Sequence, residues 1–231
     1  MNNKNTCIND ITLTGVVHTA PVLNNTCDGI SYYNFMLRCD RKSKSYDIVP
    51  ITIDDKDTDK LALIVPGKTI TIHGAFRSYN HRDENNISHT YMYAYAKDLY
   101  QVDDNATHVN EVRLIGYLAK EPNLRVTSMS KTHISDIIAA IHRDNGKSDY
   151  AICIAWGKTA NLSAKLHAGD HVRIVGRFQS RGYTKKLPED KIESRTAYEI
   201  SIGYMDLCPK KANLKDILTM DIHNFTKNAK E

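Results

Sequence analysis

Long apolar runs are missing from this 231-residue sequence. Segments such as 61–65 and 137–141 hold five apolar residues each, far short of the ~20 that a membrane-spanning helix requires, so no membrane partner is expected. The start, Met1-Asn2-Asn3-Lys4-Asn5, has no apolar segment behind it, so no secretory signal is expected either. Cysteine is scarce and odd in number: Cys7, Cys27, Cys39, Cys153 and Cys208 form no C-x-x-C pair. A disulfide framework or zinc ribbon is therefore not expected, and reduced thiols suit a cytoplasmic chain. Charge of one sign is also lacking. Thirty-one Lys and Arg stand against 27 Asp and Glu, an excess too small to name nucleic acid as a partner.

Catalytic signatures are absent as well. Gly157-Lys158-Thr159 and Gly67-Lys68-Thr69 look like the end of a phosphate-binding loop, but Ile152 and Ala62 occupy the positions where the first glycine is required. His167 and His171 straddle a Gly-Asp turn, no H-E-x-x-H occurs, and the ten histidines are scattered. No nucleophile is paired with a base. An enzyme, a metal site and a cofactor are thus not expected. The aromatic content is skewed instead, with one Trp and four Phe against thirteen Tyr, and tyrosine is a side chain that stacks at wet surfaces.

What the sequence does contain is a long internal repeat. Asn9-Asp10-Ile11-Thr12-Leu13-Thr14-Gly15 recurs 101 residues later as Asn110-Glu111-Val112-Arg113-Leu114-Ile115-Gly116, and Pro21 falls on Pro122. Gly67-Lys68-Thr69-Ile70-Thr71-Ile72-His73-Gly74-Ala75-Phe76-Arg77-Ser78 recurs at an offset of 102 as Gly169-Asp170-His171-Val172-Arg173-Ile174-Val175-Gly176-Arg177-Phe178-Gln179-Ser180. A period near 100 is too long for a solenoid and reads as two duplicated domains. They are expected over 6–103 and 108–208, joined by the polar stretch 103–107 and followed by a tail, 209–231. Within each copy, alternating segments predict strands at 11–17, 32–38, 47–53, 69–79 and 90–96, and at 112–118, 134–142, 149–156, 171–181 and 196–203. A short helical pattern lies before the fourth strand, near 57–64 and 159–166. Short strands with turn signals argue for an all-β barrel. Five strands with one helix between the third and fourth is the layout of the OB-fold, so the predicted class is two tandem OB-folds, each a five-stranded Greek-key barrel with one short helix.

Three segments of the second copy carry a family resemblance. These are Asn110-x-Val112-x-Leu114-Ile115-Gly116-x-Leu118-x-x-x-Pro122, Ala155-Trp156-Gly157-Lys158-x-Ala160, and Gly169-Asp170-x-Val172-x-Ile174-x-Gly176-Arg177-x-Gln179-Ser180-Arg181-x-Tyr183. Together they resemble the bacterial single-stranded DNA-binding proteins. The first copy, with Gly74-Ala75-Phe76-Arg77-Ser78-Tyr79-Asn80, resembles the first half of the tandem-OB members found in clostridia-like bacteria. The resemblance implies sequence-tolerant binding of single-stranded DNA in replication, recombination or the maintenance of plasmids and phages. It also implies a homodimer carrying four barrels, with replication or repair proteins as further partners. The rival reading is an OB-fold adaptor for protein contacts, of the primosome or anti-host type.

Single-strand binders combine cations that track the backbone with aromatic faces that stack on bases. In the fourth strand of the second copy Val172, Ile174, Gly176 and Phe178 alternate with Arg173, Val175, Arg177, Gln179 and Arg181, which predicts an apolar inner face and an outer arginine stripe. The run continues through Gly182, Tyr183 and Thr184 to Lys185 and Lys186, putting an aromatic among cations on a hairpin tip. Tyr150 and Trp156 flank the third strand with one parity. The resemblance implies that they and Tyr183 stack on bases. Alternation groups them with Ile152 and Ile154, so core filling is the other reading, unless curvature or a bulge near Ala155 turns the ends outward. Lys158 and Arg143 are candidate phosphate contacts.

The first copy departs from this pattern. Asp54 stands where Trp156 stands, and Ile48 where Tyr150 stands. Residues 1–104 carry 11 basic and 13 acidic side chains, and residues 105–208 carry 15 and 11, so the second copy is the better electrostatic candidate. The first still offers Arg77, Tyr79, His81 and Arg82 on a hairpin, and Arg41, Lys42 and Lys44 before its third strand. The tail places Leu214, Ile217, Leu218, Ile222 and Phe225 at helical spacing. A short amphipathic helix is expected there, unlike the acidic tip by which the family recruits enzymes.

Overall fold

The computed structural model describes residues 7–128, 130–186 and 192–208; the helix expected in 209–231 lies outside them. The same element order occurs twice. The first unit contains β1 (Ile8–Val17), β2 (Val22–Cys27), β3 (Ile30–Asp40), β4 (Tyr46–Asp54), α1 (Thr58–Ala62), β5 (Thr69–Arg82) and β6 (Ser88–Gln101). The second contains β7 (Val109–Leu118), β8 (Asn123–Val126), β9 (His133–His142), β10 (Ser148–Trp156), α2 (Gly157–Ser163), β11 (His171–Lys186) and β12 (Ile192–Leu207).

In the first unit β1 pairs with both β3 and β5, β3 continues to β4, and β4 meets β6 in parallel, which closes the barrel. The second unit repeats these pairings with β7, β9, β11, β10 and β12. This is the tandem OB architecture. The structure adds β2 and β8, short strands that fold back on β3 and β9. Both are exposed at every position; β2 shows no apolar alternation, and β8 alternates over only four residues, too few to mark a strand in sequence. Helix α2 also begins two residues earlier than its sequence pattern suggests, directly after Trp156.

Alternation along each strand fills the barrels. Ile11, Leu13, Phe35, Leu37, Val49, Ile51, Ile70, Ile72 and Phe76 are buried in the first unit, as are Val112, Leu114, Ile137, Ile141, Val172, Ile174 and Phe178 in the second. Each such side chain contributes about 1.5–3 kcal/mol of burial. Phe76 and Phe178 meet edge to face across the two units, with centroids 6.0 Å apart.

The units join through β1 and β7, which pair antiparallel with Ile11 opposite Val112, Asn9 opposite Leu114 and Leu13 opposite Asn110. Ile11 and Val112 are equivalent in the repeat, so the junction has a pseudo-twofold axis, the arrangement of an isologous interface within one chain. Two buried carboxylates obey the same symmetry. Asp149 accepts from the Ser78 backbone N–H at 2.7 Å, from Arg77 at 3.2 Å and from both arms of Arg143. Asp47 accepts from the Ser180 backbone N–H at 2.9 Å and from both arms of Arg41. The Ser78 hydroxyl in turn accepts from the Tyr150 N–H, and the Ser180 hydroxyl from the Ile48 N–H. Because all of these contacts except Arg77–Asp149, whose place opposite Asp47 is taken by Gln179 bonded to Glu199 instead, have an equivalent, residues 108–208 expressed alone are expected to sediment as a dimer, β7 against β7. A monomer would show that the junction depends on residues peculiar to the first unit.

Candidate nucleic-acid interface

Strand β10 pairs with β9 without interruption from Ser148 to Trp156. Asp149, Ala151, Cys153 and Ala155 form its buried side, and Tyr150 and Trp156 stand on the other. Tyr150 is 41% exposed and Trp156 44%. Tyr150 and Trp156 therefore do not fill the core, although Ile154 on the same parity is buried between Cys153 and Ala155, and no bulge is needed to turn the ends outward. The inner face consists of small residues and a carboxylate, so the larger side chains of the outer face look like the core in sequence.

Tyr183 is also exposed, on the hairpin of β11 and β12, with the Arg181 guanidinium 6.0 Å from its ring centre and Arg195 opposite it. Arg181 is exposed and reaches Glu199 at 3.4 Å. Lys158 is exposed in the first turn of α2, and Lys185 on the hairpin. Lys186 ends β11. The second unit thus presents three aromatic faces with cations beside two of them.

The arginine stripe is not continuous. Arg173 lies against the Tyr204 ring and makes paired hydrogen bonds to Asp206. Arg177 donates to Gln179 and faces Asp47 of the other unit at 4.0 Å. Burial, and then the neighbouring Arg41, hold the Arg177 guanidinium below its usual pKa, as expected for a cation wedged into the junction. Gln179, read as an outer residue, is buried against Glu199. Arg143, a predicted phosphate contact, is committed to Asp149, whose hydrogen bond raises its pKa. Each of these three arginines is engaged by a carboxylate of the other unit or of a neighbouring strand, while 42% of the Arg177 side chain stays exposed.

In the first unit Arg77 is likewise held by Asp149, while Tyr79 and Arg82 are exposed on the hairpin of β5 and β6. Arg82 donates to Asn86. At the position of Trp156, Asp54 accepts from the Tyr95 hydroxyl at 2.5 Å, and burial together with this bond pushes the Tyr95 phenol up. Two further tyrosines, Tyr91 and Tyr93, stand opposite Tyr79 and Arg77 across the hairpin. No motif marks them; the tyrosine excess is the one signal that points to such residues. Tyr79, Tyr91, Tyr93, Arg143, Arg181 and Tyr183 all line one groove of ≈ 1550 Å³ that runs between the units. Among the described residues no cluster of three or more His, Cys, Asp or Glu is arranged to hold a metal. Among them, too, no helix is long and apolar enough to cross a membrane.

Two barrels joined edge to edge, each closed by the same strand order, define a tandem OB-fold protein. The family model described as the single-strand binding protein family matches residues 109–208. The single-stranded DNA-binding protein B of Bacillus subtilis (strain 168) is 36% identical over 81 residues, which is 32% of this chain and 71% of that protein. The single-stranded DNA-binding protein of Clostridium tetani is 34% identical over 84 residues, 34% of this chain, and the chain spans 58% of its length. The crystal structure of the wild-type single-stranded DNA binding protein from Thermus aquaticus shares the fold over 90% of this chain and 96% of its own, with a TM-score of 0.69 at 16% identity. The chain belongs to the single-strand binding protein family.

Proposed function

We propose that this protein is a binding protein rather than an enzyme, and that it holds single-stranded DNA without sequence preference. The observation that carries the reading is the exposed aromatic set Tyr150, Trp156 and Tyr183 on the second unit, accompanied by exposed Lys158, Arg181 and Lys185. Lys186 follows at the end of β11. Aromatic faces and cations in this combination suit unpaired bases on a flexible backbone. Arg173, Arg177 and Arg143 are assigned to scaffold positions, and Arg77 with them. The first unit joins the track through Tyr79 and Arg82. The units are taken as 6–103 and 108–208. Such an activity serves replication, recombination or mobile-element maintenance in the cytoplasm, and a homodimer would offer four barrels to one strand. Family membership and the names of the relatives support this reading.

Trp156 is the one tryptophan of the chain and so reports directly. Adding oligo-dT is expected to quench its fluorescence. Trp156→Ala should weaken binding by about 1–3 kcal/mol, the usual loss of one stacked base, with the thermal midpoint little changed because the side chain fills no cavity. A variant that melts far earlier yet binds normally would remove Trp156 from the interface. Absence of any quenching or binding with dT oligomers would leave the adaptor reading in its place.

A further inference from the structure

The hairpins of the two units differ where they face the shared groove. In the second unit Arg181 pairs across the strands with Ala197, and Gln179 with Glu199. At the corresponding positions of the first unit Tyr79 pairs with Tyr91, and Arg77 with Tyr93. The Tyr79 and Tyr91 rings are stacked, with centroids 5.1 Å apart and planes 14° from parallel. Tyr93 meets Tyr79 edge-on at 6.2 Å, and His81 stands 6.4 Å from Tyr91. Tyr79 remains 54% exposed and Tyr91 47%.

We propose that the Tyr79–Tyr91 stack, with Tyr93 at its edge, is a second nucleobase platform, which carries a single strand across the unit boundary from the second barrel onto the first. This rests on the single-strand reading above. Three observations support it. First, hairpin stability does not explain the pair, because the second unit forms a hairpin of similar length with Arg181 and Ala197 in its place. Second, the rings line the same groove as Arg181 and Tyr183 of the second unit. The platform therefore lies on a path that already offers an aromatic face and a cation. Third, the floor beside it is positive. Arg77 and Arg143, which both line the groove, share the single carboxylate of Asp149, so the three groups together carry one net positive charge, and Arg82 adds an exposed one at the tip. A parallel pair of exposed rings extends naturally by one more flat ring, which is how unpaired bases are taken up.

The test uses the full chain and two lengths of oligo-dT, followed by Trp156 fluorescence. One oligomer should be about 8 nucleotides, within the site of a single OB-fold, and the other about 30, long enough for both. The double variant Tyr79→Ala/Tyr91→Ala is expected to bind the long oligomer about 5- to 150-fold more weakly, the equivalent of losing one stacked base, and to bind the short one as the wild type does. Tyr79→Phe/Tyr91→Phe keeps the rings and should retain the affinity. Both rings are exposed, so no cavity forms and the melting curve should hold; if the double variant melts early, Tyr91→Ala alone carries the same measurement. Unchanged affinity for the long oligomer overturns the platform. So does an equal loss in the phenylalanine variant, which would make the hydroxyls and not the rings the binding groups. An equal loss on the short oligomer also overturns it, by merging the pair with the second-unit site. If the wild type responds to neither length, the single-strand reading itself fails, and that outcome differs from all the others.

Discussion

Gly74→Ala and Gly176→Ala are each expected to lower the thermal midpoint by about 10 °C, from a loss of about 3 kcal/mol at roughly 2–4 °C per kcal/mol for a chain of this size. A Cβ on Gly74 would stand 2.0 Å from the carbonyl oxygen of Tyr95, and one on Gly176 would stand 2.3 Å from that of Ser201. Both obstacles are backbone, so no rotamer change relieves them. The clash falls where the ladder shifts register, at His73/Gly74 in the first barrel and Val175/Gly176 in the second. There the strand bends sharply and its neighbour crosses close against it, the geometry for which glycine is required in small barrels. A methyl group would force β6 or β12 away from its partner and open the barrel there. Gly182→Ala is the control: a Cβ there would meet nothing within 4 Å, and its effect should stay within about 0.5 kcal/mol. A Gly74→Ala protein that melts with the wild type would show that the strands separate there without cost.

Asp149→Ala is expected to destabilise the chain by about 3–5 kcal/mol, the cost of removing one partner from an ion-pair cluster built on a buried carboxylate. The carboxylate is fully buried and accepts from Arg143, Arg77 and the Ser78 N–H. Its loss strands two guanidinium groups and one backbone donor at the junction of the units. Asp149→Ala/Arg143→Leu should recover part of the stability, since removing both members of a buried pair is far less costly than removing one. Asp47→Ala is expected to act in the same direction from the other side of the pseudo-twofold axis, through Arg41 and the Ser180 N–H. Calorimetric scans of the three variants decide the matter. Midpoints within a degree or two of the wild type would mean that water enters the junction and screens these charges.

Much of this architecture is legible in one dimension. The repeat locates two units because equivalent glycines, Gly74 and Gly176, serve equivalent bends. Alternation in 69–79 and 171–181 identifies the inner residues Ile72, Phe76, Ile174 and Phe178, because a strand shows its two faces residue by residue. The β2 strand leaves no such mark and β8 only a four-residue one, since neither buries a side chain, and Tyr150 and Trp156 are ambiguous because the core beneath them is made of Ala and Cys.

The roles of the charged and aromatic surface residues follow a different logic. Arg173, Arg177 and Arg181 alternate on one strand and look alike in sequence. The fold pairs the first with Asp206, turns the second toward Asp47 and leaves the third exposed. Arg143 becomes a strut and Tyr91 part of a stacked pair for the same reason. Periodicity is a local property of the chain, set by strand geometry. The burial and pairing of a surface side chain depend on what packs across from it, and here that neighbour comes from another strand or from the other unit, as with Asp47 and Ser180, so no local pattern records it.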